Sequence, residues 1–462
     1  MEHSGGEPGP SNSQNCIQWQ IVTSQRGKRV LLRAGHRYHE KRRNKDGSCV
    51  WNCTKRKKCK AKLIIANNNT ITRDDKHDCE PDFASNELEI QFNKCCEQIK
   101  SDYTISIPRA YRETVAGLVD SGINFIKKIP TLENIKHKLH RKRNKSLGVQ
   151  KICFNSIKEI IVPERYQHFL LADYSNGPSR IIIFANRDCK KILTNPNLTI
   201  LCDGTFKFCL KPFNQLYSLH VDLGSNDTYN NIIPIIYALL PNKNKNTYIT
   251  MFKLIKSQIP QFSPQLFILD FEQAAMSAIK HVFPKTKING CYFHFAQSLW
   301  RKADELNITK SKLARKHVKR CTVMAHLPRE AIDNAWLYIM AQCPTNKNVV
   351  LFNDYFVQTW LNDKSFFADK WCSNHLHRTT NMIENWHSIL NKKISSKPKN
   401  IAHFLTILEK ENNYYEVLYT NGTSIRKKLP ETQEIDQHIS QTIEEFIRGD
   451  INIDLCIERL VL

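Results

Sequence analysis

The sequence predicts an α/β protein: a sheet-based core with a helical insertion, preceded by a small antiparallel β domain and a helical connector. Three observations lead to this fold class. Short apolar pulses separated by turn residues occupy residues 18–82, helical apolar spacing follows through residues 83–160, and strand and helix patterns alternate from residue 161. The strand signal then fades. Residues from about 295 to 375 are therefore predicted to be a helical insertion in a core that ends near residue 395, and residues 396–462 to be helical.

The N-terminal part of the chain predicts a small sheet behind a disordered start. Residues 1–17 are polar and rich in Gly, Pro and Ser, which is typical of a disordered segment. Turn residues such as Gly27, Gly47 and Asn68 then separate apolar pulses at residues 21–22, 30–32, 37–38, 49–51 and 62–65. This pattern predicts an antiparallel sheet of short strands.

The connector carries helical apolar spacing in residues 87–103 and 107–122, and Thr131 is a candidate cap for a third helix. That helix ends in the basic tract KHKLHRKRNK at residues 136–145. Two interpretations of the tract stay open: a phosphate-contact or nuclear-import patch, or a solvated helix face.

The core alternates between the two periodicities. Strands are predicted at residues 181–184, 198–202, 216–221, 232–240, 265–269 and 287–293. Helices are predicted at residues 248–258, 273–282, 294–375, 379–393, 401–419 and 440–460. Successive strands followed by helix, strand, helix and strand indicate an α/β layer.

Composition favours a nucleic-acid partner. The formal net charge is +24 over 462 residues and the cations are clustered, so a phosphate backbone is the expected partner. No run of about 18 apolar residues occurs, which predicts no membrane-spanning helix. The N-terminus lacks the basic start and apolar core of a signal peptide, so the 16 cysteines are expected to be buried thiols or metal ligands rather than disulfides.

Four residues near the end of the small sheet have the side chains of a zinc site. Cys53 and Cys59 bracket TKRKK, and His77 and Cys79 stand downstream in HDC. Two soft ligands, a loop and two more ligands are typical of structural zinc, and a small basic sheet with a poor core would gain stability from the metal. The residues alone leave open the alternative of unrelated buried thiols.

A dense group of cations surrounds these residues. Ten Lys and Arg side chains lie between positions 41 and 62, where Asp46 is the single acid. Such a group predicts a surface that binds DNA phosphates. The candidates for DNA contact are Lys41, Arg42, Arg43, Lys55, Arg56, Lys57 and Lys58.

This N-terminal part of the chain resembles a FLYWCH-type zinc finger. The matching positions are Gly27, Lys28, Leu32, Gly35, Tyr38, Trp51, Cys53, Cys59 and His77. The sequence departs from the family at the last ligand, where Cys79 stands in place of His, and a thiolate binds zinc at least as well. The resemblance implies a DNA-binding domain over residues 18–82 with zinc held by Cys53, Cys59, His77 and Cys79.

Two aspartates occupy informative positions in the core. Asp203 and Asp270 each come directly after a predicted buried strand. A carboxylate there is costly unless it is paired, capping or metal-bound, and cations of the magnesium type prefer oxygen ligands. Each has a second interpretation, with Asp203 capping a turn at Gly204 and Asp270 capping the helix near Glu272. The residues alone select no third carboxylate.

Residues 161–395 resemble the MULE (Mutator-like element) transposase domain. The resemblance rests on five segments in order: CDGTFKFCLKPFNQLYSLH, IIPIIYALLPNKNKNTY, LFILDFEQAAMSAIKHVFP, GCYFHFAQSLWRK and HRTTNMIENWHSILN. It implies an RNase H-like fold and a catalytic Asp-Asp-Glu triad of Asp203, Asp270 and Glu384. In this chemistry the triad holds two Mg²⁺ or Mn²⁺ ions.

Further residues of these segments are candidate accessories to the site. Cys291 and His294 fit the family's Cys-x-x-His, interpreted either as zinc ligands or as a packing thiol and a histidine hydrogen-bonded near the active site. Asn381 and His387 share a helix face with the triad's glutamate, where they orient substrate or water or are ordinary polar helix residues. Glu272 is an accessory acid ranked below the triad.

The two resemblances imply a cut-and-paste DNA transposase in the nucleus. It would bind its element's ends through the zinc module, cleave DNA with bound metal, and transfer a freed 3′ hydroxyl to target DNA, as a homo-oligomer on double-stranded DNA. One alternative is a domesticated, non-catalytic DNA-binding transcriptional regulator, and another is an RNase H-type nuclease acting on RNA or hybrids. The three intact carboxylates favour the transposase, and the basic zinc module favours duplex DNA.

Overall fold

Two compact units make up the chain. The structure, a computed structural model, describes residues 19–24, 27–102, 105–118, 126–146, 156–362, 368–372, 379–394, 398, 400–422 and 425–461. The units are Met1–Gln150 and Lys151–Leu462. The segment 1–17, predicted to be disordered, lies outside the described residues. Within the described ranges, no helix has the length and apolarity needed to cross a membrane.

The first unit contains a six-stranded antiparallel sheet in sequential order, as predicted. Its strands are β1 Gln20–Thr23, β2 Arg29–Arg33, β3 His36–Arg43, β4 Cys49–Cys53, β5 Lys62–Ile65 and β6 Ile71–Asp74. The sequence does not predict β6, because three of its four side chains are exposed and it lacks apolar alternation. The turn after β2 requires Gly35, whose φ is 75° and where a Cβ would lie 2.7 Å from the Pro81 Cβ.

Three helices follow the sheet, as the connector pattern predicts: α1 Phe83–Ser101, α2 Ile107–Ala116 and α3 Leu132–Ser146. The Asp82 and Ser106 side chains cap α1 and α2 by accepting hydrogen bonds from backbone amides. The helices share a small apolar core that includes Cys95, Cys96, Ile99, Ala110 and Leu139.

The second unit is built on a seven-stranded mixed sheet. The strands of the unit are β7 Leu170–Asn176, β8 Ser179–Ala185, β9 Thr199–Thr205, β10 Gln215–Asp222, β11 Tyr229–Asn230, β12 Ile232–Leu240, β13 Leu266–Leu269, β14 Lys287–Gly290 and β15 Arg426–Lys427. The large sheet has the order β14-β13-β9-β10-β12-β8-β7, and β11 pairs with β15 separately. Strands β13 and β14 are parallel to β9, whereas the pairs from β9 to β7 are antiparallel.

Helices surround this sheet and form the rest of the unit. They are α4 Cys189–Leu193, α5 Lys245–Gln258, α6 Gln273–Val282, α7 Tyr292–Glu305, α8 Lys312–Val323, α9 Ile332–Ala341, α10 Lys347–Phe356, α11 Ala368–Trp371, α12 Asn381–Lys392, α13 Ile401–Thr420, α14 Pro430–Arg448 and α15 Ile453–Val461. The described part of the predicted insertion is thus helical, and it shares an apolar core with Ile443 of α14 and with Cys456 and Ile457 of α15.

Three sequence predictions about the second unit are wrong in detail. The predicted strand 287–293 ends at Gly290, because Cys291 is already the N-cap of α7. Asp203 lies inside β9 rather than after it. The predicted helix 440–460 is two helices, because Gly449 adopts a φ of 82° and ends α14 in a left-handed cap.

Alternation along β9 determines which side chain faces which helix. Ile200 and Cys202 belong to the apolar core that includes α5 and α6, whereas Leu201 packs with Ile383 of α12. Asp203 stands two residues beyond Leu201 in the same strand, so the two side chains point to the same face of the sheet. Its side chain therefore emerges on the face of the sheet that α12 covers.

The neighbouring strand β13 brings a second acid to the same place. Ile268 also packs with Ile383, and it is the register partner of Leu201 in the parallel pair. Asp203 and Asp270 each stand two residues beyond that registered pair. Because parallel strands advance together, about 4.8 Å apart, the register brings both aspartates to the same end of the two strands.

Candidate metal centres

The first unit gathers Cys53, Cys59, His77 and Cys79 into one cluster. Their ligand atoms all lie within 4.8 Å of one another. The Cys53 and Cys79 Sγ atoms are 3.8 Å apart, and the His77 Nδ1 lies 3.3 Å from the Cys59 Sγ and 3.6 Å from the Cys79 Sγ. A tetrahedral zinc ion with Zn–S bonds of about 2.3 Å separates two sulfurs by about 3.8 Å. The four side chains therefore fit a single zinc ion.

Neighbouring rings hold His77 in the orientation of a ligand. The Tyr38 hydroxyl lies 2.7 Å from the His77 Nε2, which leaves Nδ1 directed at the sulfurs. His36 stacks on His77 with ring centroids 3.6 Å apart. Burial lowers the pKa of His77, which keeps the ring neutral, as a metal ligand must be. Tyr38 is a position of the family pattern, but no sequence signal pointed to His36.

The seven predicted DNA-contact residues are all exposed. Lys41, Arg42 and Arg43 end strand β3, and the other four form the loop between β4 and β5. The Lys55 Nζ donates to the Glu80 carbonyl at 2.9 Å, which ties this loop to the segment after the cluster. The cations therefore border the zinc site and face solvent.

In the second unit, Asp203 contacts the helix that carries Glu384. The Asp203 Oδ2 lies 3.1 Å from the His387 Nδ1, and the His387 Nε2 lies 3.1 Å from the Ser218 Oγ. Ser218 is also the register partner of Asp203 on β10. The Asp203 Oδ1 accepts a hydrogen bond of 2.6 Å from the Gly204 amide, but Gly204 lies inside β9, so this contact does not cap a turn.

The hydrogen-bonded chain continues into the core at His220. Its Nε2 lies 3.0 Å from the Ser218 Oγ, and Trp386 packs edge-on against its ring. Burial holds the pKa of His220 well below its ordinary value, so the ring is neutral. A buried network from Asp203 through His387 and Ser218 to His220 thus fixes the orientation of the Asp203 carboxylate.

Asp270 and Glu384 meet across His294. The His294 Nδ1 lies 2.7 Å from the Asp270 Oδ1, and its Nε2 lies 3.4 Å from the Glu384 Oε1. Burial lowers the pKa of His294, but the contacts with Asp270 and Cys291 outweigh it and raise the pKa to about 10. Burial raises the pKa of Glu384, and the nearby charges of Asp203 and Asp270 raise it further. The charges of Asp203 and Asp270 therefore act on the Glu384 carboxyl.

Cys291 joins the strand of Asp270 to the helix of Glu384. Its Sγ accepts hydrogen bonds from the Thr380 amide and the Thr380 hydroxyl, both at 3.2 Å. Its own amide donates to the Leu269 carbonyl at 2.9 Å. Thr380 is the N-cap of α12. The ligand atoms of Asp270, Cys291 and His294 lie within 4.8 Å of one another, but the thiol has two protein partners without a metal.

Two family models match parts of the chain. Residues 21–78 match the FLYWCH zinc finger domain, and residues 199–298 match the MULE transposase domain. The chain contains both domains. A search of the curated proteins found no match.

The FLYWCH match includes Cys53, Cys59 and His77, and Cys79 stands one residue beyond it. Together with the Cys/His cluster, the match supports a structural zinc ion and a DNA-binding role for the first unit. The MULE domain supports a transposase-like function for the second unit.

The matched part of the MULE domain includes Asp203, Asp270, Cys291 and His294. Glu384 lies outside it, and its relation to the aspartates comes from the structure. No sequence signal pointed to Ser218, His220 or Thr380, because their roles depend on contacts between distant segments.

An open cleft of about 440 Å³ lies at the acids of the MULE domain. Asp203, Glu384 and His387 line it together with Lys207 and Lys392. Asp270 is adjacent through His294 rather than part of this lining. The two lysines would attract the negatively charged phosphates of a nucleic-acid substrate to this cleft, beside the carboxylates.

Two further candidates lie elsewhere. Asn381 lines a separate cleft of about 610 Å³ with Met382 and Asn385, so it does not share the acid cleft with His387. The Glu272 carboxylate is held by the Tyr248 hydroxyl at 3.0 and 3.1 Å. Glu272, rather than Asp270, is the N-cap of α6.

Proposed function

We propose that this protein is a Mutator-like DNA transposase, in which the second unit cleaves and joins DNA strands and the first unit binds DNA through a zinc-stabilised module. One observation carries the proposal. Asp203 and Glu384 line the same cleft, and Asp270 reaches Glu384 through the single ring of His294.

Asp203, Asp270 and Glu384 are the residues that would hold catalytic metal ions. They offer hard oxygen ligands, which Mg²⁺ and Mn²⁺ prefer. Each histidine contact occupies one oxygen of Asp270 and Glu384 and leaves the other oxygen of each carboxylate for a metal. Two ions about 3.5–4 Å apart would activate water or a 3′ hydroxyl for attack on a phosphodiester.

Other side chains of the cleft serve the same chemistry. His387 orients the Asp203 carboxylate, whose side chain is only 16% exposed. Lys207 and Lys392 stand where a DNA phosphate would enter the cleft, and they would offset its charge. Neither lysine belongs to the buried network of Asp203, His387, Ser218 and His220, so both side chains remain able to adjust to a bound phosphate.

The strand arrangement supports an RNase H-like core. Strands β9, β10 and β12 run antiparallel, and β13 and β14 add in parallel beside β9. This arrangement brings the two aspartates to adjacent strands on one face. A long helical segment then precedes α12 and returns the chain to that face.

The partners follow from the same proposal. The zinc module and its exposed cations suit double-stranded DNA, and the two ends of an element are most simply joined by a homo-oligomer. Work on chromosomal DNA requires a nuclear location in a cell with a nucleus. The alternative is a non-catalytic DNA-binding regulator, and the experiment must distinguish it from an active transposase.

The test uses the whole protein with a supercoiled plasmid and Mg²⁺ or Mn²⁺. Asp203→Asn, Asp270→Asn and Glu384→Gln should each abolish nicking and weaken Mn²⁺ binding, because the amides keep the shape but lose the ligand charge. Duplex binding, measured by fluorescence anisotropy, should stay unchanged. Asp304→Asn, an exposed acid on α7, is the matched control and should behave as wild type.

Three outcomes would count against this proposal. A wild-type protein that binds duplex DNA but neither binds Mn²⁺ nor nicks the plasmid is the non-catalytic regulator. Retained nicking in Glu384→Gln with loss in Glu272→Gln would make Glu272 the third acid. A protein that prefers RNA or hybrid substrates would be a nuclease of another kind.

A further inference from the structure

The first unit has a second cationic surface, separate from the zinc-site loop. A groove of about 910 Å³ runs between the end of β1, helix α1 and helix α3, and we name it the connector groove. Its cationic side chains are Arg37, Lys128, Lys138, Arg141 and Lys142. Among the described residues, Glu89 is the one carboxylate of its lining, and Lys128 pairs with Asp82 beside it at 2.9 Å.

We propose that the connector groove binds the sugar–phosphate backbone of duplex DNA, as a second contact beside the zinc finger. This inference rests on the proposed DNA binding and adds a surface to it. The expected ligand is a row of phosphate groups, because the groove offers several cations. Its one acid among the described residues is already paired with a cation. Arg37 holds Glu89 at 3.0 Å.

Repulsion between like charges destabilises helix α3, and a bound polyanion would remove this repulsion. Lys138 and Lys142 are four residues apart, as are Arg141 and Lys145, so like charges are neighbours on one helix surface. Such pairs destabilise a helix in water. Phosphates placed between them would turn the repulsion into attraction, whereas a merely solvated helix face gains nothing from this spacing.

The groove is built before any ligand binds. Leu139 is buried against Cys96 and Ile99 of α1, which fixes the rotation of α3 and turns Lys138 and Lys142 towards the groove. Neutral donors complete the lining and suit contacts with phosphate oxygens: Thr23, Ser24, Asn93 and Asn134.

Strand β3 connects the groove to the zinc-cluster side of the sheet, because its consecutive side chains point to opposite faces. Arg37 lies in the groove, and the next residue, Tyr38, contacts the zinc-cluster residue His77. The Arg37 carbonyl accepts a hydrogen bond of 2.9 Å from the Thr54 amide. Thr54 directly precedes the exposed cations 55–58, so that loop begins beside the backbone of Arg37.

The test compares two triple variants of the whole protein that remove the same charge. The groove variant is Lys138→Gln, Arg141→Gln, Lys142→Gln, and the control is Lys94→Gln, Lys127→Gln, Lys136→Gln, whose positions do not line the groove. The probe is a random-sequence 30-base-pair duplex, and the measured quantity is the slope of log K against log salt concentration. Thermal unfolding of both variants checks the fold.

This slope is negative, and each lost phosphate contact should reduce its magnitude by about 0.9. The groove variant should therefore lose close to three contacts, while the control keeps the wild-type slope. Equal changes in both variants, or a wild-type slope in the groove variant, would overturn the groove. A wild-type protein with no affinity for duplex DNA would instead overturn the proposed DNA binding, and the groove with it.

Discussion

At the scale of single residues, the acid cleft depends on side chains that never need to touch DNA. His387 and His294 each contact a candidate metal ligand, and Cys291 anchors the helix that carries the third. The Cys-x-x-His pattern thus has a structural role in this protein. It fixes the spacing between the strand of Asp270 and the helix of Glu384.

The anchor at Cys291 can be tested directly. Cys291→Ala should leave the Thr380 amide buried without its partner, at a cost of about 1–3 kcal/mol. It should also weaken Mn²⁺ binding and plasmid nicking while duplex binding stays unchanged. Thr380→Val should repeat part of this effect, and Thr380→Ser should not, because serine keeps the hydroxyl. Wild-type Mn²⁺ affinity in a well-folded Cys291→Ala would contradict the anchoring role.

At the scale of elements, the small sheet of the first unit has little core of its own. Five fully buried apolar residues form its main cluster: Leu31, Tyr38, Trp51, Leu63 and Ile65. A metal that closes the loop from β4 to the segment after β6 supplies stability that this cluster lacks. We therefore expect the stability of this sheet to depend on a bound metal.

Zinc removal should unfold this sheet. The protein should contain one zinc ion per chain, and chelation or Cys59→Ser should release it and abolish hydrogen-exchange protection in β2 to β5, with protection in the second unit unchanged. Cys49→Ser is the matched control, because this thiol lies in the same sheet but outside the cluster. Unchanged protection in metal-free protein would rule out a structural zinc site.

The last helix, α15, is held to the insertion by a polar contact. Glu458 accepts from Arg320 at 2.7 Å and from Tyr338 at 3.0 Å, and Lys316 lies 2.7 Å away. Burial raises the pKa of Glu458, but these hydrogen bonds outweigh it and hold the pKa below its ordinary value. The stabilisation is therefore present above the unfolded pKa and is lost as the pH falls through the folded pKa.

Glu458→Gln should lower the free energy of unfolding by about 1–3 kcal/mol at neutral pH, because it removes a carboxylate from the nearly buried Arg320. The difference from wild type should shrink as the pH falls through the lowered pKa of Glu458, where the wild-type carboxyl becomes protonated as well. Urea unfolding across pH measures both effects. Glu444→Gln, on an exposed face of α14, should change neither, and an equal loss in both variants would exclude the contact.

At the scale of the whole molecule, the net charge of +24 is the dominant property. Such an excess predicts DNA binding that weakens steeply with salt. Charge reversal of Lys55, Arg56, Lys57 and Lys58 to Glu should lower affinity for every duplex sequence alike. Filter binding at several salt concentrations measures this. Affinity that survives unchanged would mean that the connector groove or the second unit carries the binding.

Local pattern predicted the fold class well because the relevant signals lie within a few residues of each other. Apolar alternation identified five strands of the first sheet, and buried runs identified most of the second. The failures have local causes too. Strand β7 is an edge strand with exposed side chains and few apolar residues, and β14 gives way to a helix after Gly290.

The sequence by itself predicted the candidate zinc ligands, the cationic loop and the positions of Asp203 and Asp270 at the ends of apolar runs, because each is a short-range pattern. The tertiary structure decided what surrounds them. It brought Glu384 to the aspartates from beyond the helical insertion, paired Asp203 with His387, and separated Asn381 from their cleft. The physical reason lies in the range of the interactions. The alternation of side chains along a strand is a local property that a short stretch of sequence encodes. The face against which a distant helix packs depends instead on apolar contacts between remote residues, such as Leu201 with Ile383, and periodicity does not encode these.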